Sequence, residues 1–188
     1  QNTSDVNRDR AYESLRRRFP SWEDVLQARP MEVAEAIRPG GLANVKSRRI
    51  VRILKEIQEK YAGLTLQSLA LLPGEEAARV LLGFEGVGLK TAYCVLLVGF
   101  GMPVFPVDTH ILRVSRRLGL IPPGSGPQKA HQILNGIAPP ERMLTLHVHL
   151  IRLGREVCRP RNPRHSACPL TPECDELRVN EYNNYDSR

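Results

Sequence analysis

Apolar residues recur every three or four positions along most of the chain, which is the spacing of helices with one buried face. The clearest case lies between residues 44 and 61, where one face is apolar and the opposite face is largely basic. Its apolar positions are Ile50, Ile53, Leu54, Ile57 and Tyr61. No convincing run alternates apolar and polar residues as a half-buried strand would. The pattern predicts an all-α fold of short helices joined by connections rich in glycine and proline.

Local start signals divide the chain into further helices. Ser21, followed three residues later by Asp24, is a capping pattern that predicts a helix to about residue 28. Pro30 suits a first helical turn and predicts a second helix to residue 37. After the Pro-Gly-Gly stop at 39–41, we expect Asn44 to cap the next helix. The remaining helices are predicted over 74–82, 89–99, 109–118, 127–136 and 140–156.

Basic residues outnumber acidic ones, 27 against 20, which gives a net charge of +7. Most of the basic residues are arginines, and the planar guanidinium suits phosphate. Composition supports a nucleic-acid partner and a basic surface kept for solubility about equally. The longest uncharged apolar stretch, 91–107, contains glycine and proline and is shorter than the roughly 20 residues of a membrane span. We therefore expect no membrane partner.

The segment "LLGFEGVGLKTAYCVLL", residues 81–97, predicts two helices joined by a Gly-Val-Gly turn. Gly86 and Gly88 permit a tight turn and close approach of a ligand, and the N–H groups that begin the second helix suit a phosphate. Lys90 lies in the first turn of this second helix, which is apolar on all sides and is expected to be buried. Burial and the helix dipole both disfavour an ammonium, so the position favours an amine nucleophile. The alternative is a lysine that only binds a phosphate.

Asp108 ends an apolar run and precedes "THILRVSRRLGL", so we expect it at a helix N-terminus, where a carboxylate is favoured. On local grounds alone, a plain helix cap is the simplest interpretation. The presence of Lys90 and Asp108 at two helix starts around one apolar hairpin favours a joint catalytic role.

Residues 81–120 resemble the helix-hairpin-helix and Gly/Pro-Asp signature of DNA base-excision glycosylases, and they are most similar to the endonuclease III branch. "GLANVKSRRI" at 41–50 resembles the Gly-Leu-x-x-x-Lys segment of that family, and "QNTSD" at 1–5 resembles its glutamine-bearing turn. The resemblance extends over nearly all of the chain. It implies two helical lobes, with the helix-hairpin-helix flanking a DNA-binding cleft and a metal-cluster loop near the C-terminus.

The resemblance also implies the lobe boundaries. One barrel-like lobe is expected over 9–119, with the helix-hairpin-helix at about 81–99. The second lobe is expected over 1–8 and 120–188, and the family's first helix is expected to be missing before Gln1.

The implied activity is that of a bifunctional DNA glycosylase and AP lyase, which removes oxidised pyrimidines by base flipping, Schiff base formation and β-elimination. Lys90 matches the nucleophile, and Asp108 matches the catalytic aspartate, which would help deprotonate the lysine or stabilise the sugar cation. At the position that matches Lys90, the similar mismatch thymine glycosylases carry tyrosine and the adenine glycosylases carry serine. The resemblance therefore implies that lysine here favours a glycosylase that also cuts the strand. The alternatives are a non-catalytic helix-hairpin-helix DNA-binding module and a glycosylase for uracil or alkylated bases.

The expected partner is double-stranded DNA with damaged bases or abasic sites, bound by a monomer. We expect a cytoplasmic (nucleoid) location in a prokaryote, or a nuclear or mitochondrial one in a eukaryote.

A set of DNA contacts follows from the same resemblance. Gln1 and Leu42 match residues that enter the duplex and fill the space of the flipped nucleotide, and a core contact is the alternative for Leu42. The other predicted contacts are Lys46, Gly86, Val87, Gly88, Thr91, His110, Arg159, Arg161 and Arg164. We expect His110 to orient Asp108. The last three arginines form either a basic DNA-binding loop or a solvated surface loop.

Three of the four cysteines lie in "CRPRNPRHSACPLTPEC", residues 158–174. The spacing Cys158-x6-His165-x2-Cys168-x5-Cys174 resembles the family's iron–sulfur loop with histidine in place of the second cysteine. The interpretations are a [4Fe–4S] cluster with His165 as an unusual ligand, a structural zinc site, or no metal. We expect the cluster, in a mainly structural role.

Glu85 departs from the family's pattern, and two histidines have no role implied by the resemblance. Glu85 stands where the family usually has proline, and a carboxylate beside a phosphate-binding turn is unfavourable unless it points away. His147 and His149 are expected in the core or between the lobes.

Overall fold

The structure, a computed structural model, describes residues 4–61 and 63–177. These residues contain helices and no strand, which confirms the all-α prediction for this part of the chain. The α-helices are α1 (Asp5–Arg18), α2 (Trp22–Gln27), α3 (Pro30–Ala36), α4 (Ala43–Lys60), α5 (Gly74–Leu82), α6 (Leu89–Cys94), α7 (Thr109–Arg117), α8 (Pro127–Ile137) and α9 (Met143–Glu156). Short 3-10 helices occur at Arg38–Gly40, Gln67–Leu71, Pro140–Arg142, His165–Ala167 and Thr171–Glu173. No helix among the described residues is long and apolar enough to cross a membrane.

Most helix starts follow the local signals. The Ser21 hydroxyl accepts from the Asp24 N–H at 3.1 Å, and the Asp24 carboxylate accepts from the Ser21 N–H at 2.9 Å, so the capping pattern is present in full. Pro30 is the first residue of α3, as predicted. Asp108 caps α7 by accepting from the Ile111 N–H at 2.8 Å.

The start of α4 differs from the prediction. Its N-cap is Leu42 rather than Asn44, and Leu42 has a left-handed backbone with φ 51° and ψ 33°. Gly41 before it also has positive φ, 69°. The Lys46 ammonium donates to the Gly40 carbonyl at 2.7 Å and so holds this turn. The turn geometry therefore decides where α4 begins, and the capping propensity of asparagine does not.

The described chain forms two compact units. The first contains the residues up to Pro73 together with Gly83–Val87. Helices α1 to α4 build its core, with the buried residues Ala11, Leu15, Val25, Val33, Ala36, Ile37, Val51 and Leu54. The segment Gly83–Val87 belongs to this unit by its contacts: Phe84 is buried, and the Lys60 ammonium lies 5.5 Å from the centre of its ring.

The second unit contains Gly74–Leu82 and the chain from Gly88 onward. In it, α5 packs against α6, and α7 packs against α9. Its buried residues include Ala77, Leu81, Ala92, Leu96, Phe105, Val107, Ile111, Val114, Leu134 and Met143. This division is not the same as the lobe boundaries expected from the sequence, which stay a prediction.

Helix α6 is shorter than predicted. It ends at Cys94 and continues as a π-helix over Val95–Gly99, whose wider turn changes the direction of the side chains. Leu96 and Leu97 are buried, whereas Val98 is 66% exposed. The expectation of burial on all sides is therefore wrong, because a uniformly apolar run carries no periodicity that would mark its exposed face.

Candidate active site

Lys90 lies in the first turn of α6, two residues after Gly88, which is the N-cap. Its side chain is exposed, so the predicted burial of this lysine is wrong. It forms no ion pair within residues 4–61 and 63–177.

Asp108 is half-buried at the N-terminus of α7. One carboxylate oxygen accepts from the Ile111 N–H, and the other is left for a substrate or a neighbouring group. The imidazole of His147, on α9, interacts electrostatically with both candidate catalytic residues. Burial lowers the pKa of His147, while the Asp108 carboxylate raises it and the Lys90 ammonium lowers it. The structure therefore brings Lys90 and Asp108 within electrostatic reach of one buried imidazole.

The turn between α5 and α6 needs glycine at Gly86 only: Gly88 has an extended backbone with φ −95°, so the expectation that both glycines turn the chain with positive φ is wrong at Gly88. Gly86 has φ +85°, and a Cβ added there would lie 2.7 Å from Cδ of Arg49, so both the backbone and the neighbouring side chain favour glycine. The Val87 N–H donates to the Phe84 carbonyl at 3.1 Å and closes the turn. Gly86, Gly88 and Thr91 are exposed and Val87 is half-buried. The first N–H groups of α6 have no intrahelical acceptor and are free to bind an anion.

Glu85, the unfavourable carboxylate of this turn, has a partner on α4. It forms an ion pair with Arg52, on the basic face of that helix. Both side chains are more than half exposed, so the pair is worth at most about 1 kcal/mol. Its main effect is to place a cation beside the negative charge next to the turn.

Leu42 is 54% exposed, so the alternative of a core contact is wrong. A leucine in the left-handed region costs about 1–2 kcal/mol, and such strain is typical of functional sites. Lys46, another predicted DNA contact, is half-buried, and its ammonium is bound to the Gly40 carbonyl. Lys46 thus supports the turn that presents Leu42. Gln1 lies outside the described residues.

His110 is held by Arg113, a residue that the sequence did not single out. Arg113 donates to the His110 Nδ1 at 3.2 Å, to the Gly154 carbonyl at 2.7 Å and to the Cys158 carbonyl at 3.0 Å. Because a guanidinium can only donate, the proton of a neutral His110 ring lies on Nε2. A Cβ added to Gly154 would lie 2.9 Å from the His110 Cβ, so glycine is needed where α9 passes this side chain. The expected role of His110, orienting Asp108, stays a prediction.

The four predicted metal ligands Cys158, His165, Cys168 and Cys174 line one pocket. Three thiols and an imidazole are a donor set suited to zinc or an iron–sulfur cluster, so the residues present fit such a group. Within the described part of the chain, however, no three His, Cys, Asp or Glu side chains lie close enough together to bind a metal ion.

Arg117 joins the two ends of the 158–174 loop. Its guanidinium donates to the Cys158 Sγ at 3.4 Å and to the Arg159 carbonyl at 2.8 Å, and it pairs with Glu176 at 2.7 Å. Its own carbonyl accepts from the Cys174 Sγ at 3.5 Å. The three loop arginines Arg159, Arg161 and Arg164 are all exposed and available to phosphate.

Sequence reasoning missed Arg113, Arg117 and His131. All three act through contacts 24 to 45 residues apart in the chain. Nothing in a single sequence marks which arginine of an arginine-rich helix will reach such a partner. His147 is buried as expected, whereas His149 is exposed.

A match to the HhH-GPD superfamily of base excision DNA repair proteins covers residues 1–140, about three quarters of the chain. The chain belongs to this superfamily. Among its HhH-GPD relatives is endonuclease III of Thermotoga maritima, 33% identical over 95% of this chain and 79% of the relative. A protein of Arabidopsis thaliana that bears the name DNA glycosylase is 39% identical over 82% of this chain. The chain spans about half (53%) of that plant relative.

The HhH-GPD fold is also shared with solved structures. A trapped endonuclease III–DNA covalent intermediate aligns with a TM-score of 0.82 and 29% identity, over 95% of this chain and 80% of the other. The structural likeness therefore extends beyond the 140 residues of the family match, into the region of α9 and the 158–174 loop.

Proposed function

We propose that this chain is a bifunctional DNA glycosylase and AP lyase that acts on oxidised pyrimidines in double-stranded DNA. The observation that carries the proposal is the placement of Lys90 and Asp108 at the starts of α6 and α7, both within electrostatic reach of His147. A passive DNA-binding module would need the Gly-Val-Gly turn and not this pair.

Lys90 is the nucleophile. Its amine nitrogen bonds to C1′ of the flipped nucleotide as the bond from C1′ to the base breaks, and ring opening gives a Schiff base. Loss of a C2′ proton then expels the 3′ phosphate, which cuts the strand by β-elimination.

Asp108 acts through the carboxylate oxygen that does not cap α7. It takes a proton from Lys90 or stabilises the positive charge that develops on the sugar. DNA is held by the turn at Gly86–Gly88 and by the exposed arginines Arg159, Arg161 and Arg164, and Leu42 fills the space that the flipped nucleotide leaves.

Borohydride trapping tests this proposal. One duplex carries a single thymine glycol and a second carries an abasic site. Trapping on both supports a bifunctional enzyme for oxidised pyrimidines, and trapping on the abasic site alone indicates a lyase whose lesion is uracil, an alkylated base or another damaged base. Trapping on neither favours the DNA-binding module.

The roles of the two residues are tested with variants. Lys90→Gln abolishes trapping and strand cutting, whereas Lys129→Gln, at an exposed lysine of α8, leaves both intact. Asp108→Asn slows turnover strongly at near-normal DNA affinity. Persistent trapping in Lys90→Gln, or an unchanged rate in Asp108→Asn, would remove that residue from the mechanism.

We further propose that Cys158, His165, Cys168 and Cys174 hold a [4Fe–4S] cluster. The shared pocket and the donor set support this assignment. When bound, such a cluster supplies structure and electron-transfer capacity. Metal and sulfide analysis with optical absorbance separates it from zinc. His165→Ala lowers metal content and melting temperature, whereas His149→Ala, on α9, does not. If both values are untouched in His165→Ala, His165 is not a ligand.

A further inference from the structure

The segment that leads into Asp108 is buried and lies outside any helix, and among the described residues no strand runs beside it. Val104, Phe105, Pro106 and Val107 are all buried. Buried backbone N–H and C=O groups must find partners, and in this segment several of the partners are side chains rather than a sheet.

Residues of α8 and α9 bind three consecutive residues of this segment. The Phe105 N–H donates to the Asn135 Oδ1 at 2.7 Å. The Pro106 carbonyl lies 3.0 Å from the His147 Nδ1. The Val107 N–H, directly before Asp108, lies 3.0 Å from the His131 Nε2.

These contacts define which ring nitrogens face a donor or an acceptor. The Val107 N–H can only donate, so the His131 Nε2 carries no proton, and the His131 Nδ1 donates to the Pro127 carbonyl at 2.8 Å. The Pro106 carbonyl can only accept, so the His147 Nδ1 carries a proton. His131 is therefore held as a neutral imidazole with its proton on Nδ1, and burial lowers the pKa of both His131 and His147, which favours the neutral form of each.

His131 also contacts the helix that carries the nucleophile. Its ring meets the Tyr93 ring edge-on, with centroids 5.5 Å apart, and Tyr93 follows Lys90 by three residues on α6. The His147 ring likewise meets the Phe105 ring edge-on at 6.1 Å. The His131 imidazole thus contacts both α6 and Val107, the residue before Asp108. The His147 imidazole binds Pro106, the residue before Val107.

We propose that His131 and His147 are positioning residues that set where the Asp108 carboxylate lies relative to Lys90. This inference rests on the proposed function, because it assigns the pair a purpose in that reaction. Neither histidine is expected to touch the substrate. Misplacement of reacting groups by about 1 Å costs up to about 100-fold in rate, so loss of either contact is expected to lower the rate without weakening DNA binding.

Paired substitutions separate positioning from simple packing. His131→Leu and His147→Leu remove the contacts. His131→Gln retains an acceptor near the Nε2 position, and His147→Asn retains a donor near the Nδ1 position. Met143→Ala is the control, since Met143 is a buried residue of α9 that lies one helical turn before His147 and offers no polar group to the segment.

The readouts are the single-turnover rate of borohydride trapping on an abasic-site duplex, the DNA affinity, the melting temperature, and amide hydrogen exchange at Phe105 and Val107. The leucine variants are expected to trap about 10- to 100-fold more slowly at unchanged affinity. The glutamine and asparagine variants recover most of the rate. In His131→Leu, exchange at the Val107 amide accelerates, and in His131→Gln its protection returns.

Two results would overturn the proposal. One is parental trapping rates in both leucine variants. The other is a fall in trapping rate that the glutamine and asparagine variants do not restore and that Met143→Ala also shows when its melting temperature equals that of the leucine variants. If the parent protein itself traps no DNA, the proposed function fails, and hydrogen exchange alone decides whether His131 secures the residue before Asp108.

Discussion

Leu42→Asn is the most informative substitution outside the proposed catalytic pair, because at this position stability and activity are expected to separate. Asparagine tolerates the left-handed backbone that leucine adopts here at a cost of about 1–2 kcal/mol. The leucine side chain is 54% exposed, so its removal sacrifices roughly half of the 1.5–3 kcal/mol that a fully buried leucine contributes. The two effects nearly cancel, and the free energy of unfolding is expected to change by less than about 1 kcal/mol.

The effect on activity is larger because the exposed half of the side chain is the part available to DNA. Burying that half between bases is worth about 0.8–1.5 kcal/mol, which corresponds to roughly a four- to twelvefold change in rate on duplex DNA. On single-stranded DNA there is no stacked partner strand to replace, so the rate there is expected to be unchanged.

The assay compares lesion cleavage in duplex and single-stranded DNA for the parent and for Leu42→Asn, together with urea unfolding. Leu71→Asn is the matched control, since Leu71 is an 87% exposed leucine of the same unit and lies outside the predicted DNA contacts. Parental cleavage of the duplex by Leu42→Asn would refute the wedge role. So would an equal loss on both substrates, because it would indicate damage to the site rather than to duplex opening.

Two further predictions concern stability. Gly154→Ala places a Cβ 2.9 Å from the His110 Cβ and should cost about 1–3 kcal/mol in urea unfolding. Gly136→Ala, where the new Cβ meets no atom within 4 Å, should instead stabilise by about 0.5 kcal/mol; similar effects of the two changes would contradict this reasoning. Burial lowers the pKa of His131 and His147, so below about pH 6.5 the unfolded chain binds protons that the folded chain does not. Melting temperature is therefore expected to fall as the pH drops from about 6.5 to 5, and an equally steep fall in the His131→Gln/His147→Asn double variant would show that these histidines are not the cause.

The sequence predicts those features of the fold that depend on neighbours within one helical turn. Ser21 with Asp24, Pro30 and Asp108 each mark a helix start that the structure confirms. The prediction that Asn44 caps α4 is wrong, because the left-handed turn at Leu42 decides where this helix begins. That turn depends on packing beyond the local chain. The prediction of one α-helix over 89–99 is wrong in its second half for another reason. A run of apolar residues has no periodicity that would indicate a π-helix.

In the candidate site, too, the residues that could be predicted are those that their neighbours along the chain mark. Lys90 and Asp108 could be proposed from their places beside glycine and proline turns. The partner of Glu85 could not, because Arg52 is one of several basic residues on its helix face and only the fold selects it. The contacts of His131 and His147 with the segment before Asp108 join residues 24 and 41 positions apart, and no local pattern carries that information.

The two units interleave along the sequence, and this has a consequence for how the protein can be cut. The chain enters the second unit at Gly74, returns to the first at Gly83 and leaves it again after Val87. No single cleavage can therefore leave both units whole: a cut after Pro73 separates the first unit from the buried Phe84, and a cut before Gly88 separates the second unit from α5. Limited proteolysis between Pro73 and Gly88 is expected to leave at least one unit incomplete, and any piece that retains both cores must include all three crossings.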